Sequence, residues 1–377
     1  MNILIASDKF KGSLTAEEVC EVIRSGLLKL DASLIIKTIP MADGGEGTAS
    51  LLTAHTHGTW VTTSVYDPLF RKIQAGYGIS GDRSTAFIEM SQASGLQLLS
   101  PDERNPLKTS TYGTGELIAN AIDRGARKIV LAIGGSATND AGMGMAAALG
   151  VKFLDKSGKE LPPIGESLVH LHVIDEGSLK LKLKNTEILV LCDVINPLTG
   201  MDGAAYIYAP QKGADQAMVQ ALDLGLQNFA SVVEKETGVS LEFPGAGAAG
   251  GLGAGAKVFL RARFQRGIEY IMDKLKVPEH IMQANLVITG EGKMDEQTLA
   301  GKVVAGIAAL ANHHHKPIIA LVGKNELSAD QIKRLHLSHV ISLVNKETTP
   351  TEAMAHPVNL IQQRIQEELN LNEYRTE

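Results

Sequence analysis

The chain opens on an unbroken apolar run, Ile3 to Ala6, which gives way at once to the polar stretch SDKFKGSLTAEEV, Ser7 to Val19. A short apolar run bounded by turn residues reads as a buried strand. Beyond it, Val19, Val22, Ile23, Gly26, Leu27 and Leu30 recur at helical spacing. Thr15 with Glu18 three positions on is the capping-box signature of that helix's start. LIIKTIP from Leu34 predicts a second strand, and MADGGEGT from Met41 a glycine-rich loop opening a second helix. Strand–helix–strand units of this length predict a parallel sheet covered by helices.

The period changes near Gly58. TWVTTSVYDP, KIQAGYGIS and STAFIEMS predict successive strands separated by Asp-Pro and Gly-Asp turns, a β-rich insertion. Alternation with helices resumes with a helix from about Thr114, a strand from Lys128 to Ile133, and a small-residue helix in NDAGMGMAAALG capped by Asp140 or a neighbour. TEILVLCDV predicts a buried strand ending at Asp193, and FPGAGAAGGLGAGAKVF a long glycine-alanine loop. ANLVITGEG and KPIIALVGK predict strands that end in glycine-rich turns, with a helix between them; the tail from about Thr351 predicts a helix. The expected fold is α/β with two domains. Residues 1–57 and 283–377 form a discontinuous Rossmann-like parallel α/β/α domain, and a second α/β domain, 58–282, is inserted in it. A cleft between two such domains is the default place for a ligand.

Composition narrows the function classes. The 377 residues are 44% apolar and 21% charged, ordinary for a globular protein with a sizeable core. A net charge of −6 gives no basic surplus for nucleic acid and no polybasic segment for an anionic membrane. Aromatics at 4% argue against base-stacking platforms. Cys20 and Cys192 form no CxxC, which suggests a reducing compartment and weighs against a cysteine-type zinc site. With no secretory h-region and no run of about 18 apolar residues, the expected location is the cytoplasm.

Five loops placed after strands share a chemistry: SDKFKGS, MADGGEGT, GGSATND, CDVINPL and TGEGKMDEQT. In open α/β sheets ligands bind outside the carboxyl ends of the strands. Four of them join Gly or Ser/Thr to at least one Asp or Glu, CDVINPL carries Asp193 and Asn196 instead, and two of the five add lysines. Exposed backbone N–H groups hold phosphate. Carboxylates beside them hold Mg²⁺ together with phosphate oxygens, and lysines neutralise a transferring phosphoryl group. Singly, each feature has a structural reading. Asp43 and Asp140 serve equally as helix caps, Glu46 as first-turn charge, Gly44, Gly45, Gly134 and Gly135 as turn residues, and Lys9, Lys11, Lys293 and Lys302 as solvated charge. The conjunction carries the phosphoryl-transfer reading. Gly245, Gly247 and Gly250 match GxGxxG, but Pro244 precedes them and no strand feeds them. His313–His315 reads as an exposed loop, and no Walker A, HRD or DFG sequence occurs.

SDKFKGSL, PMADGGEGT, GGSATNDAGMGMAAALG, CDVINPL, GAAGGLGAG and TGEGKMDEQTLAGK, taken together and in this order, resemble the bacterial type-1 glycerate kinase family over nearly the whole chain. The resemblance implies ATP-dependent phosphorylation of D-glycerate to 2-phosphoglycerate or 3-phosphoglycerate, and a two-domain α/β architecture. Val303-Val304 after Gly301-Lys302 departs from the expected pattern, which has a proline nearby. On this reading Asp193 is the first candidate for the base that takes the hydroxyl proton, and Asp295 the second. Lys9 and Lys11 face the γ-phosphoryl group or the substrate carboxylate. Asp8, Asp43, Glu46, Gly290, Glu291 and Lys293 are candidates for ATP or glycerate contacts, with Asp43 and Glu291 for Mg²⁺. Gly44, Gly45, Gly134, Gly135, Ser136, Thr138, Asn139 and Asn196 are candidate phosphate or hydroxyl partners, and Arg71 a candidate for the glycerate carboxylate. The competing expectations are a nicotinamide-dependent oxidoreductase of a small hydroxy acid using the GxGxxG string, and a noncatalytic sugar-acid sensor.

Overall fold

The computed structural model describes residues 1–177, 179–299 and 301–375. In chain order the strands are β1 (Asn2–Ser7), β2 (Ile35–Thr38), β3 (Thr59–Tyr66), β4 (Lys72–Ile79), β5 (Thr85–Glu89), β6 (Lys128–Ala132), β7 (Lys152–Leu154), β8 (Val173–Asp175), β9 (Glu187–Leu191), β10 (Arg263–Gln265), β11 (Leu286–Met294), β12 (Ile318–Asn325) and β13 (His339–Ser342). They belong to two compact units, 1–43 with 268–377 and 44–267.

The first unit is a five-stranded sheet in the order β13-β12-β11-β1-β2, parallel throughout. Its apolar face is built by Ile3, Ile5, Leu286, Ile288, Ile319 and Leu321 with Val19, Ile23 and Leu27 of the helix Ala16–Leu30. That helix starts where the sequence predicts. Glu18 N–H donates to Thr15 Oγ1 at 3.2 Å, and Thr15 N–H to Glu18 Oε2 at 2.8 Å. From β1 the chain adds β2 on one side and β11, β12 and β13 on the other. The direction of winding therefore reverses between β1 and β11, and such a switch point opens a crevice at the carboxyl ends of the two strands.

The second unit has a six-stranded sheet, β10-β9-β6-β5-β4-β3. Strands β5, β6, β9 and β10 run parallel, while β3, β4 and β5 are antiparallel neighbours. The β-rich insertion is thus the antiparallel edge of a mixed sheet. The core around it includes Tyr77, Ile88, Leu131, Val190, Phe229 and Phe259.

Three expectations change. The unit boundaries fall near residues 44 and 268, not 58 and 283. The helix Thr48–His55 packs on β3, β4 and β5, so it belongs with the inserted unit. Ile268 packs against Gly306, within 2.8 Å of where a Cβ there would sit, so the helix Gly267–Lys274 belongs largely with the first unit. The glycine-alanine loop is in large part helical, Ala248–Phe259, with left-handed backbone at Ala249, Gly250 and Gly251. Its small residues allow close packing: a Cβ on Gly255 would lie 2.2 Å from the carbonyl of Ala141. Finally, Gly290–Met294 is not a turn. It continues β11 in register with β12, where Lys293 pairs Lys324 and Met294 pairs Asn325.

Candidate functional site

In the first unit the switch point carries a group of carboxylates. Asp8 follows β1, with its N–H donating to the carbonyl of Gly290 at 2.9 Å. Glu291 is a buried residue of β11, and its Oε1 accepts from the Thr298 hydroxyl at 2.5 Å. Asp43 lies beyond β2, with Lys302 Nζ 3.9 Å from its Oδ2. Burial first, and then the charge of Asp43, push Asp8 up to about 7 against the pull of the Lys9 N–H, Lys9 and Lys302. Burial pushes Glu291 up to about 7 as well, opposed by the Thr298 hydroxyl and Lys302 and reinforced by Asp8 and Asp295. Lys302, which singly reads as solvated charge in the sequence, is therefore the cation felt by both raised carboxyls.

These oxygens suit a hard cation. Among the described residues, no three Asp, Glu, His or Cys side chains stand together closely enough to hold a metal ion by themselves. Mg²⁺ characteristically takes one or two carboxylates and completes its shell with water and phosphate oxygens. Asp43, Asp8 and Glu291 offer that kind of donor, and a cation there would offset the burial and like charge that raise Asp8 and Glu291.

The other first-unit candidates are arranged around this group. Lys11 is exposed, and the Lys11 N lies 3.2 Å from where a Cβ on Gly292 would sit, so its backbone lies against β11. Gly290 is an interior strand residue whose added Cβ would meet the Leu321 carbonyl at 2.2 Å, a packing requirement. Lys293 pairs with Glu326 at 2.8 Å and Asp295 at 3.3 Å on an exposed surface. Asp295 also accepts from the N–H of Gln297 at 2.9 Å, which gives it a turn-forming duty beside its candidacy as a base. His313 and His314 stack edge to face at a helix end, with His315 following in a left-handed turn.

In the second unit, the segment after β6 is braced along its whole length. Leu96 N–H donates to the Gly135 carbonyl, Ala137 N–H to the Ser94 carbonyl, the Thr109 hydroxyl to the Ala137 carbonyl, and Ala141 N–H to the Gly250 carbonyl. Fully buried Asp140 accepts from the N–H groups of Thr111, Gly142 and Gly144 and from the Thr111 hydroxyl. Burial raises its carboxyl and those hydrogen bonds oppose the shift. Asp140 thus ties two loops together as well as opening the helix Met143–Ala148, whose own N-cap is Gly142. Beneath the segment lies Lys212, 2% exposed, with Nζ donating at 2.7 Å to Ser136 Oγ and at 2.7 Å to the Thr138 carbonyl. Burial lowers Lys212 to about 7, with the Asp140 charge opposing. Thr138 Oγ1 and both carboxamide atoms of Asn139 are buried with no hydrogen-bond partner among the described residues, whereas Gly134 and Gly135 are exposed.

Asp193 follows β9; its Oδ1 accepts from the Gly267 N–H at 3.0 Å, and its Oδ2 lies 3.0 Å from where a Cβ on Gly44 would sit. Gly44 has φ 87°, so both space and backbone favour glycine there. Asn196 turns inward: its amide donates to the Asp202 carbonyl and its oxygen accepts from the Tyr208 hydroxyl at 2.6 Å. Arg71 is committed to Asp67 and Glu103, closing the Asp67-Pro68 turn.

The loop holding Gly44, Gly45 and Glu46 runs into the helix Thr48–His55, whose N-terminus the sequence offers to phosphate. A protein carboxylate already sits there. Glu89, at the end of β5 and 2% exposed, accepts from Gly47 N–H at 2.9 Å and Ala49 N–H at 2.8 Å. Glu89→Ala is expected to destabilise the protein by about 2 kcal/mol, read in urea unfolding, because the half-buried Gly47 N–H and the buried Ala49 N–H lose their acceptor.

The GxGxxG glycines pack the loops after β6 and β9 against each other. A Cβ on Gly250 would lie 1.9 Å from the Thr138 carbonyl, and one on Gly247 2.1 Å from the Pro197 carbonyl. The element leading into them is the helix Gln216–Thr237, not a strand. The nicotinamide reading therefore loses its motif.

A family model described as the glycerate kinase family matches residues 3–371. The chain is 44% identical over 354 residues to the glycerate 2-kinase of Escherichia coli K12, covering 94% of this chain and 93% of that protein. It is 43% identical over 354 residues to the glycerate kinase of Bacillus cereus, with 94% and 93% covered. A solved structure from Salmonella typhimurium LT2, described as a glycerate kinase 2, matches with TM-score 0.84 and 41% identity, covering 96% of this chain and 95% of that one.

Proposed function

The chain belongs to the glycerate kinase family, and we propose that it transfers the γ-phosphoryl group of ATP, as its Mg²⁺ complex, to the 2-hydroxyl of D-glycerate. Kinase activity toward glycerate follows from the family. The choice of hydroxyl is supported by the name glycerate 2-kinase of a relative 44% identical over 94% of the chain. The observation that carries the chemistry is the pair Asp8, just after β1, and Glu291, within the adjacent parallel strand β11, both raised to about 7 and both feeling the charge of Lys302.

On this reading Lys9 and Lys11 meet phosphoryl or carboxylate charge, and the Gly134–Ser136 turn offers donors to an oxyanion. Asp193 orients the accepting hydroxyl and receives its proton. Asp43 and Glu291 would hold Mg²⁺, which supplies charge neutralisation at phosphate oxygens. Such chemistry rests mainly on positioning and electrostatics, since the transition state is loose. Cys20 and Cys192 are both free thiols, which suits a reducing compartment such as the cytoplasm. None of the described helices is long and apolar enough to cross a membrane.

The test is incubation of the purified protein with ATP, Mg²⁺ and D-glycerate, followed by ³¹P and ¹³C NMR of the product. The expected product is 2-phosphoglycerate. Formation of 3-phosphoglycerate overturns the choice of hydroxyl, and absence of turnover overturns the kinase reading.

A further inference from the structure

A lysine ammonium has three donors and no acceptor. In that form Lys212 Nζ, 2.7 Å from Ser136 Oγ, donates to it. The one proton of the Ser136 hydroxyl is then left to point away from the lysine. Ser136 is 8% exposed and adjoins exposed Gly134 and Gly135. The N–H groups of Gly134, Gly135 and Ser136 donate to no protein acceptor among the described residues. Three main-chain donors and one oriented hydroxyl on a single turn make a set for a negatively charged oxygen. The turn is also rigid, because the carbonyls of Gly135, Ala137 and Thr138 are tied to Leu96, Thr109 and Lys212.

We propose that Lys212 is a positioning residue for phosphoryl transfer, holding Ser136 so that its hydroxyl donates to an oxyanion seated on the Gly134–Ser136 turn. An ammonium is a costly thing to bury beneath a turn. A purely structural brace for the Thr138 carbonyl needs only a neutral donor; the second bond, to Ser136, is the one that fixes a hydroxyl's direction. The oxyanion is a phosphate oxygen of the nucleotide or the carboxylate of glycerate, two sources of one chemistry. The inference rests on the kinase reading, and the two fail differently. Wild-type protein without turnover sinks that reading, while the variants below judge this one in an active enzyme.

The experiment is steady-state kinetics with ATP and D-glycerate varied separately for wild type, Ser136→Ala, Lys212→Met and the double variant, with melting temperatures alongside. Ser136→Ala is expected to raise one KM about tenfold and leave the other within about twofold, the order expected for loss of one charge-assisted hydrogen bond. A raised KM for ATP assigns a phosphate; a raised KM for glycerate assigns the carboxylate. Lys212→Met is expected to raise the same KM at least as far, and the double variant to be no worse than Lys212→Met by more than about twofold, because the lysine acts through the serine. Unchanged KM values in Ser136→Ala overturn the proposal. So do multiplicative losses in the double variant, or an equal rise of both KM values in Lys212→Met. If Lys212→Met does not fold, Lys212→Gln keeps a neutral donor and is expected to restore folding with the same selective KM change; failure of both to fold counts as a structural role and against the proposal.

Discussion

Asp193→Asn is expected to lower kcat by about 100-fold or more while leaving the melting temperature within a few degrees of wild type. The expectation follows from how the side chain is held. Its Oδ1 accepts a hydrogen bond from the Gly267 N–H at 3.0 Å, and an asparagine oxygen in the same place accepts the same bond. That hydrogen bond therefore survives the substitution. What disappears is the charge and the ability to accept a proton from the attacking hydroxyl, worth about 10²–10⁴-fold for a positioned base. KM for ATP is expected to stay within about threefold, since the substitution leaves the donors for phosphate in place. Gly44→Ala is the companion variant. Its new methyl group lands 3.0 Å from Asp193 Oδ2 at a left-handed backbone position, so it perturbs the carboxylate without removing it. It is expected to lose activity and stability together, whereas Asp193→Asn loses activity alone. If Asp193→Asn retains wild-type kcat, the proton goes elsewhere, and Asp295 and Asp8 become the carboxylates to replace next.

How far the sequence revealed this arrangement depends on the distance over which each interaction acts. The capping box of Thr15 and Glu18 spans three residues and is present as read. The alternation of strands and helices also survives, because burial on both faces of a parallel sheet forces continuous apolar runs. Errors came where glycine has two meanings. Gly290, Gly292 and Gly323 look like turn residues, yet they let β11 and β12 lie close: a Cβ on Gly323 would stand 2.4 Å from the Gly292 carbonyl. The glycines after Pro244 likewise turn out to pack loops and helices. The unit boundaries differ from those the sequence suggests because an amphipathic helix beside a boundary does not reveal which sheet it covers. Lys212 and Glu89 were missed for a different reason. Lys212 lies 76 residues from Ser136, and Glu89 lies 42 from Gly47. No local pattern marks a lone lysine or glutamate whose partner is that remote, although both are buried charges and both orient loops after strands.

Asp8→Asn and Glu291→Gln are expected to make the protein more stable above pH 7 and much less active. Asp8 is raised from an ordinary 3.8 to about 7 in the folded state, and Glu291 from 4.5 to about 7. Between those limits the folded protein binds more protons than the unfolded chain, so stability falls as pH rises from about 4 to about 7, and the full penalty remains above that range. One pKa unit corresponds to about 1.4 kcal/mol. Allowing for lost attraction to Lys302, each substitution is expected to stabilise the protein by about 2 kcal/mol at pH 8 and to have almost no effect at pH 4. Urea unfolding at the two pH values reads this directly, and a variant less stable than wild type at pH 8 would show that the carboxylates are not strained. The charge that strains the fold is also the charge available to Mg²⁺ and Lys302. Wild-type kcat/KM for ATP is therefore expected to climb between pH 5 and 8 as the pair deprotonates, and each variant to lose about 10-fold or more at pH 8 and to show a shallower climb. A variant that gains stability and keeps wild-type kcat/KM would separate the strain from the chemistry and leave the raised carboxyls with no part in phosphoryl transfer.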